Sequence, residues 1–135
     1  METQVAVITG ASRGIGRATA LALAKEGMAI IIDYLSSEVE ARQLEREINQ
    51  FSRAVAIRAD VADSEQVKIL LDKTLSAFGR IDVLVNNAGA ILRPGDWQNM
   101  THDTWHLTHD INLLGAFNCI KQFASVFLDR KKGKS

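Results

Sequence analysis

The stretch TGASRGIG, Thr9 to Gly16, places three glycines and an arginine within eight residues. Gly10, Gly14 and Gly16 follow the apolar run VAVIT (5–9) and open an alanine- and leucine-rich segment that reads as a helix. Glycines at such a turn let a phosphate approach the backbone, and the helix start offers unpaired N–H groups and partial positive charge. The chemistry expected of this loop is therefore phosphate binding. Its spacing, Gly-x-x-x-Gly-x-Gly, differs from Gly-x-Gly-x-x-Gly, and no Gly-Lys-Ser/Thr follows to make a P-loop.

Other groups could do chemistry. His102, His106 and His109 have helical spacing, with Asp103 and Asp110 near them. They could hold zinc, but nothing is spaced to complete a closed site, and a solvated helix face is the expected role; no metal is assigned. Cys119 has no adjacent base and reads as core packing. Trp97 and Trp105 read as packing residues before substrate contacts. Arg130, Lys131, Lys132 and Lys134 suit a helix C-terminus.

The elements that must position the glycine loop alternate along the chain. Strands are expected at 5–9, 29–33, 54–60 and 81–86. Helices are expected from Ile15 to Glu26, ending at Gly27; from a Ser37/Glu40 capping box with a face of Val39, Leu44 and Ile48; and from Asp63/Gln66 to Gly79, with a face of Val67, Leu70, Leu71, Leu75 and Phe78. A loop holding the one proline, Pro94, precedes a helical region capped by Thr101, kinked near Asn112 and running to about Arg130. Its apolar residues, Leu113, Leu114, Phe117, Ile120, Phe123, Phe127 and Leu128, are too many for one stripe; part should face the sheet and part a partner.

This β-α order predicts an α/β fold, a Rossmann-type parallel sheet with helices on both faces. Ligands bind such sheets at the carboxyl ends of the strands, where 9–16, 33–36, 60–61 and 86–89 would converge.

Four of these stretches together, TGASRGIG, ADVAD (59–63), VNNAG (85–89) and DIN (110–112), resemble the short-chain dehydrogenase/reductase family in order and spacing. The resemblance covers the whole chain but only the N-terminal part of a usual member. It implies a dinucleotide-binding domain over 1–135, incomplete at its C-terminus after the fourth strand and the long helix. The strand left at the edge would be open to association. The resemblance also implies an NAD or NADP cofactor. By position, Gly10, Gly14 and Gly16 surround the pyrophosphate; Ser12, Arg13 and Ile15 line the same turn; Asp60 and Val61 flank the adenine; Asn86, Ala88 and Gly89 form the central wall. Asn112 matches the asparagine of the catalytic tetrad.

NADP is favoured over the alternative, NAD. Arg13 could fork onto the 2′-phosphate, and Ser36 and Ser37 could donate to it. Asp33 would favour NAD if its carboxylate faced the ribose, but the acidic residue of NAD-preferring members falls one place later, at Tyr34.

The parent enzyme implied is a reductase moving hydride between nicotinamide and a small carbonyl or alcohol substrate, with motifs close to the 3-oxoacyl-acyl-carrier-protein reductase branch. The family's Tyr-x-x-x-Lys is absent: Glu38 stands four residues after Tyr34, the one tyrosine. The chain by itself is expected to be inactive, and the alternative is a non-catalytic nucleotide-binding or assembly module. A homo-oligomer through the 101–130 helices is implied.

Composition narrows the partners. The 135 residues are 47% hydrophobic and 24% charged, with 16 basic and 16 acidic residues and a net charge of +0. No field favours nucleic acid or anionic membrane, and no apolar run approaches a span of about 18 residues. One cysteine and no visible secretory signal fit a cytoplasmic setting.

Overall fold

The computed structural model describes residues 2–89 and 97–133, with no side-chain detail for Trp97 or residues 130–133. Pro94 and Lys134 lie outside the described residues, as do the side chains of Trp97, Arg130, Lys131 and Lys132.

Four strands, β1 (Val5–Ile8), β2 (Ala29–Tyr34), β3 (Ala54–Arg58) and β4 (Val83–Val85), form one parallel sheet in the order β3-β2-β1-β4. β1 and β2 are buried throughout, as strands covered on both faces must be. One core lies between the sheet and helices α1 (Gly14–Lys25) and α2 (Glu38–Ile48), built on Ile8, Ile30, Ile32, Leu44 and Ile48. The other holds Val7, Ile31, Ile57, Leu70 and Phe123, under α3 (Ser64–Phe78) and the C-terminal helix. The Rossmann-type fold is as expected.

Local signals explain most boundaries. Asp63 caps α3 by accepting from Glu65 N–H at 3.0 Å, and Gly79 ends it in the left-handed conformation at φ 76°. Thr101 caps α4 (His102–His109) through Thr104 N–H. Between α4 and α5 (Gly115–Gly133), residues Asp110–Leu114 form a π-helical turn, the irregularity expected near Asn112.

Some expectations fail. Ser37 precedes α2, but its side chain makes no capping bond. Val39 is 67% exposed; the buried face of α2 is Ala41, Leu44 and Ile48, about half a turn round the helix from it. β4 is shorter than 81–86; just before it, the Asp82 carboxylate takes Val5 N–H at 2.8 Å while Asp82 N–H donates to the Val5 carbonyl at 2.8 Å. Trp105 is 59% exposed, not packed, since α4 buries none of its residues. The continuous stretch His102–Asp129 is long and apolar enough to cross a membrane by composition, although no single apolar run suggested it. One side of it is docked: Cys119 and Phe123 join the core, and Asn118 donates to the Val61 carbonyl at 2.9 Å.

The two sheet edges differ. At β3, side chains of α2 and of its C-cap, Asn49, stand in for a neighbouring strand. Asn49 exchanges two bonds with Ala54 (3.1 and 2.9 Å), Glu45 accepts from Ala56 N–H at 2.6 Å, and Arg42 reaches the Ala56 carbonyl at 3.4 Å. β4 has no strand on its far side among the described residues, and its three residues are half-buried.

Candidate nucleotide-binding cleft

Strand order reverses direction between β1 and β4, and the loops leaving the carboxyl ends of all four strands meet there. They enclose a cleft of ≈ 330 Å³. The β1 loop contributes Gly10, Ser12 and Arg13; β2 contributes Asp33, Tyr34, Leu35, Ser36 and Ser37; β3 contributes Ala59, Asp60 and Val61; β4 contributes Asn87, Ala88 and Gly89; Ile111 comes from the π turn.

The glycine turn is fixed from both sides. Thr9 is buried, and its hydroxyl accepts from the amides of Asn87 (3.0 Å) and Ala88 (2.9 Å). The Asn87 side-chain amide donates to the carbonyls of Thr9 (3.1 Å) and Gly10 (3.0 Å). Gly10 and Gly14 adopt φ of 61° and 63°. A Cβ on Gly10 would stand 2.8 Å from Ala88 Cα, and one on Gly16 would stand 2.5 Å from Asn87 Nδ2 and 2.6 Å from Gly10 O. Close approach therefore requires glycine at 10 and 16, and backbone conformation requires it at 10 and 14. The first turn of α1 carries no acidic residue, which leaves the positive end of its dipole uncompensated. An anion fits this cradle.

The Asp60–Val61 turn is held as firmly. Asp60 N–H donates to Gln66 Oε1 at 2.8 Å, and Ala62 N–H donates to Asp60 Oδ1 at 3.0 Å. A Cβ on Gly115 would fall 2.6 Å from Val61 Cγ2, so glycine there lets α5 lie against the turn.

Asp33 is 2% exposed. Burial pushes its carboxyl up to about 8; the Gly10 N–H opposes this and the charge of Asp60 adds to it. An ionised ribose-gripping carboxylate is not what this environment favours. Cys119 is buried, and desolvation, with the charge of Asp33, pushes its thiol up to about 12, so it is core rather than nucleophile.

Eleven of the residues expected at the site line the cleft. Gly14 and Gly16 shape the turn behind it. Ile15 is 80% exposed at the start of α1. Asn86 lies on the opposite side, in a groove with Leu84, Phe123 and Phe127 along β4. Asn112 is exposed in the π turn, its Oδ1 3.0 Å from the place of a Cβ on Gly89. Asn87, Ile111, Gly115 and Asn118 were not singled out from sequence. The pair Asn86-Asn87 was a visible signal, but only the turn after β4 decides which one faces the glycine loop. The three histidines sit on α4, and among the described residues no group of three metal-ligand side chains converges.

Comparison with known proteins agrees with this geometry. Residues 4–134 match the short chain dehydrogenase family. A 3-oxoacyl-[acyl-carrier-protein] reductase of Synechocystis sp. is 44% identical over 135 residues, covering 99% of this chain and 54% of that protein. The corresponding reductase FabG of Staphylococcus aureus is 42% identical over 132 residues, covering 97% and 53%. The chain thus spans about half the length of the curated relatives it matches. Among solved structures, a metagenomic short-chain oxidoreductase in complex with NADP superposes with a TM-score of 0.86 at 34% identity, covering 96% of this chain and 58% of that one. A blue fluorescent protein from a metagenomic library, in complex with NADPH, gives 0.84 at 38% identity, covering 92% and 51%. A short chain dehydrogenase/reductase from Burkholderia phymatum in complex with NAD gives 0.86 at 30%, covering 93% and 44%. The glycine cradle at the strand-order reversal and the match over 4–134 lead to one conclusion: this chain belongs to the short chain dehydrogenase family.

Proposed function

We propose that this chain binds NADP(H) in the cleft and forms the cofactor-holding part of a reductase of the 3-oxoacyl-acyl-carrier-protein reductase type. The observation that carries the reading is the glycine cradle, closed at Gly10 and Gly16 to any side chain and set at an α1 N-terminus free of acidic residues. Gly10, Gly14 and Gly16 would admit the pyrophosphate. Asp60, Val61 and Ile111 would flank the adenine, and Ala88 and Gly89 would continue the wall toward the nicotinamide. When bound, the cofactor supplies hydride for reduction of a small carbonyl substrate.

Three features support NADP over NAD. Arg13 stands at the mouth with no ion pair among the described residues, Ser36 and Ser37 line the same end, and Tyr34 occupies the place of the acidic residue. Asn112, beside Gly89, is the candidate catalytic residue in this chain. The exposed Leu113, Phe117, Ile120 and Leu128 support assembly into a homo-oligomer, and the reading carries with it a cytoplasmic setting.

A second reading is a nucleotide-binding module without turnover. Titration with NADPH, followed by its fluorescence, tests the common ground; saturable binding, tighter than for NADH, is expected. Absence of binding overturns both readings. Reduction of a 3-oxoacyl thioester by the full chain would overturn the second alone.

A further inference from the structure

Asp33 is the penultimate residue of β2, on the same face of the strand as Ala29 and Ile31, which pack toward α3 and α5. It grips the start of the glycine turn twice. Its carbonyl accepts from Ala11 N–H at 2.9 Å, and its Oδ2 accepts from Gly10 N–H at 3.4 Å. Oδ1 is buried without a hydrogen-bond partner, the one such side-chain atom among the described residues. The titratable groups facing it are Asp60, from the turn after β3, and Cys119, from α5. No cation pairs with it among the described residues. Since Oδ2 takes the Gly10 N–H, a proton on this carboxyl belongs on Oδ1.

We propose that Asp33 is a positioning residue that couples nucleotide binding to pH: the cleft holds its anionic ligand while Asp33 is neutral and loses affinity when Asp33 ionises. The inference rests on the nucleotide-binding reading above. A neutral carboxyl braces Gly10 and adds no charge to the loop. An ionised one sets a full negative charge behind the Gly10 and Ala11 amides, beside Asp60, where a pyrophosphate arriving at the turn adds further negative charge. Ionisation also tightens the hold on the Gly10 N–H and opposes any shift of that amide toward a phosphate. Burial, with the charge of Asp60, keeps the neutral form in place up to about pH 8, against the backbone N–H groups of Gly10 and Ala59, which favour the ionised form. By linkage, a bound phosphate must in turn strengthen the hold of Asp33 on its proton.

The test is NADPH affinity of the full chain and of Asp33→Asn, from pH 7.5 to 9.5 at constant ionic strength, above the titration of the ligand's own phosphates near pH 6. The expected result is a loss of affinity approaching about tenfold per pH unit above pH 8 in the parent chain, and a flat profile in the variant. Calorimetry of NADPH binding at pH 8.5 in two buffers of different ionisation enthalpy should show proton uptake, a readout that needs no variant. Equal pH profiles in the two proteins, or no proton uptake, overturn the proposal and leave nucleotide binding standing. No NADPH binding at any pH overturns both. A carboxyl resonance of Asp33 titrating near pH 4 also overturns it.

Discussion

Asn87 donates its side-chain amide to the carbonyls of Thr9 and Gly10, at 3.1 and 3.0 Å, and so ties the turn after β4 to the glycine turn after β1. The two strands are neighbours in the sheet but lie more than seventy residues apart in sequence. Removing this amide leaves two carbonyls without their donor. Asn87→Ala should lower stability by about 1–3 kcal/mol, measured by urea denaturation, and weaken NADPH binding. Unchanged affinity would show that the turn keeps its shape without the tie.

Gly16 and Gly14 make a contrasting pair. A methyl at 16 runs into Asn87 Nδ2 and Gly10 O, whereas one at 14 meets nothing within 4 Å. Gly16→Ala should displace the loop and reduce NADPH affinity by about tenfold or more. Gly14→Ala should cost about 1–2 kcal/mol of stability through its positive φ alone. Parallel thermal melts and binding curves separate strain from obstruction.

Arg13 is expected to contact the 2′-phosphate. Arg13→Ala should weaken NADPH by about ten- to a hundredfold, the worth of a charge-assisted bond, and leave NADH nearly unchanged. Equal losses for both cofactors would place the guanidinium on the pyrophosphate instead.

The carboxyl of Asp33 sets a pH dependence of stability with a definite sign. It holds its proton up to about pH 8 in the folded chain, against 3.8 for an ordinary aspartate. The folded state therefore binds the extra proton, and its contribution is fully present below about pH 4 and lost as pH rises through 8. The slope approaches about 1.4 kcal/mol per pH unit within that window. Denaturation midpoints across pH 5–8 should fall in the parent chain relative to Asp33→Asn. Parallel profiles would mean that Asp33 is ionised throughout.

The covered edge of β3 predicts an aggregation phenotype. Asn49→Ala and Glu45→Ala each expose the amide of an edge residue, Ala54 or Ala56, and should cost about 1–3 kcal/mol. Thioflavin binding or light scattering on heating should rise in the double variant, because an unpaired edge is a template for another strand. A double variant that stays monodisperse would show that these side chains do not guard the edge.

Much of this was legible in the amino-acid sequence because it is local. The apolar runs of β1 and β2, the caps Asp63 and Thr101, the stop at Gly79 and the glycine turn depend on neighbours a few residues away, and short-range sterics and hydrogen bonding suffice to decide them. Other features depend on which chain segments meet. Val39 was read as buried because its spacing to neighbouring apolar residues permits a helix face; the direction of the sheet chose Ala41 instead. Asn86 and Asn87 are indistinguishable by type, and the turn after β4 sends only the second toward Thr9 and Gly10. Asp33 shows the division most plainly. Its type announced a charge at the cofactor end of β2, yet charge is a property of surroundings. Packing seals Asp33 from water beside Asp60, and desolvation, which no sequence spacing encodes, makes it a proton holder.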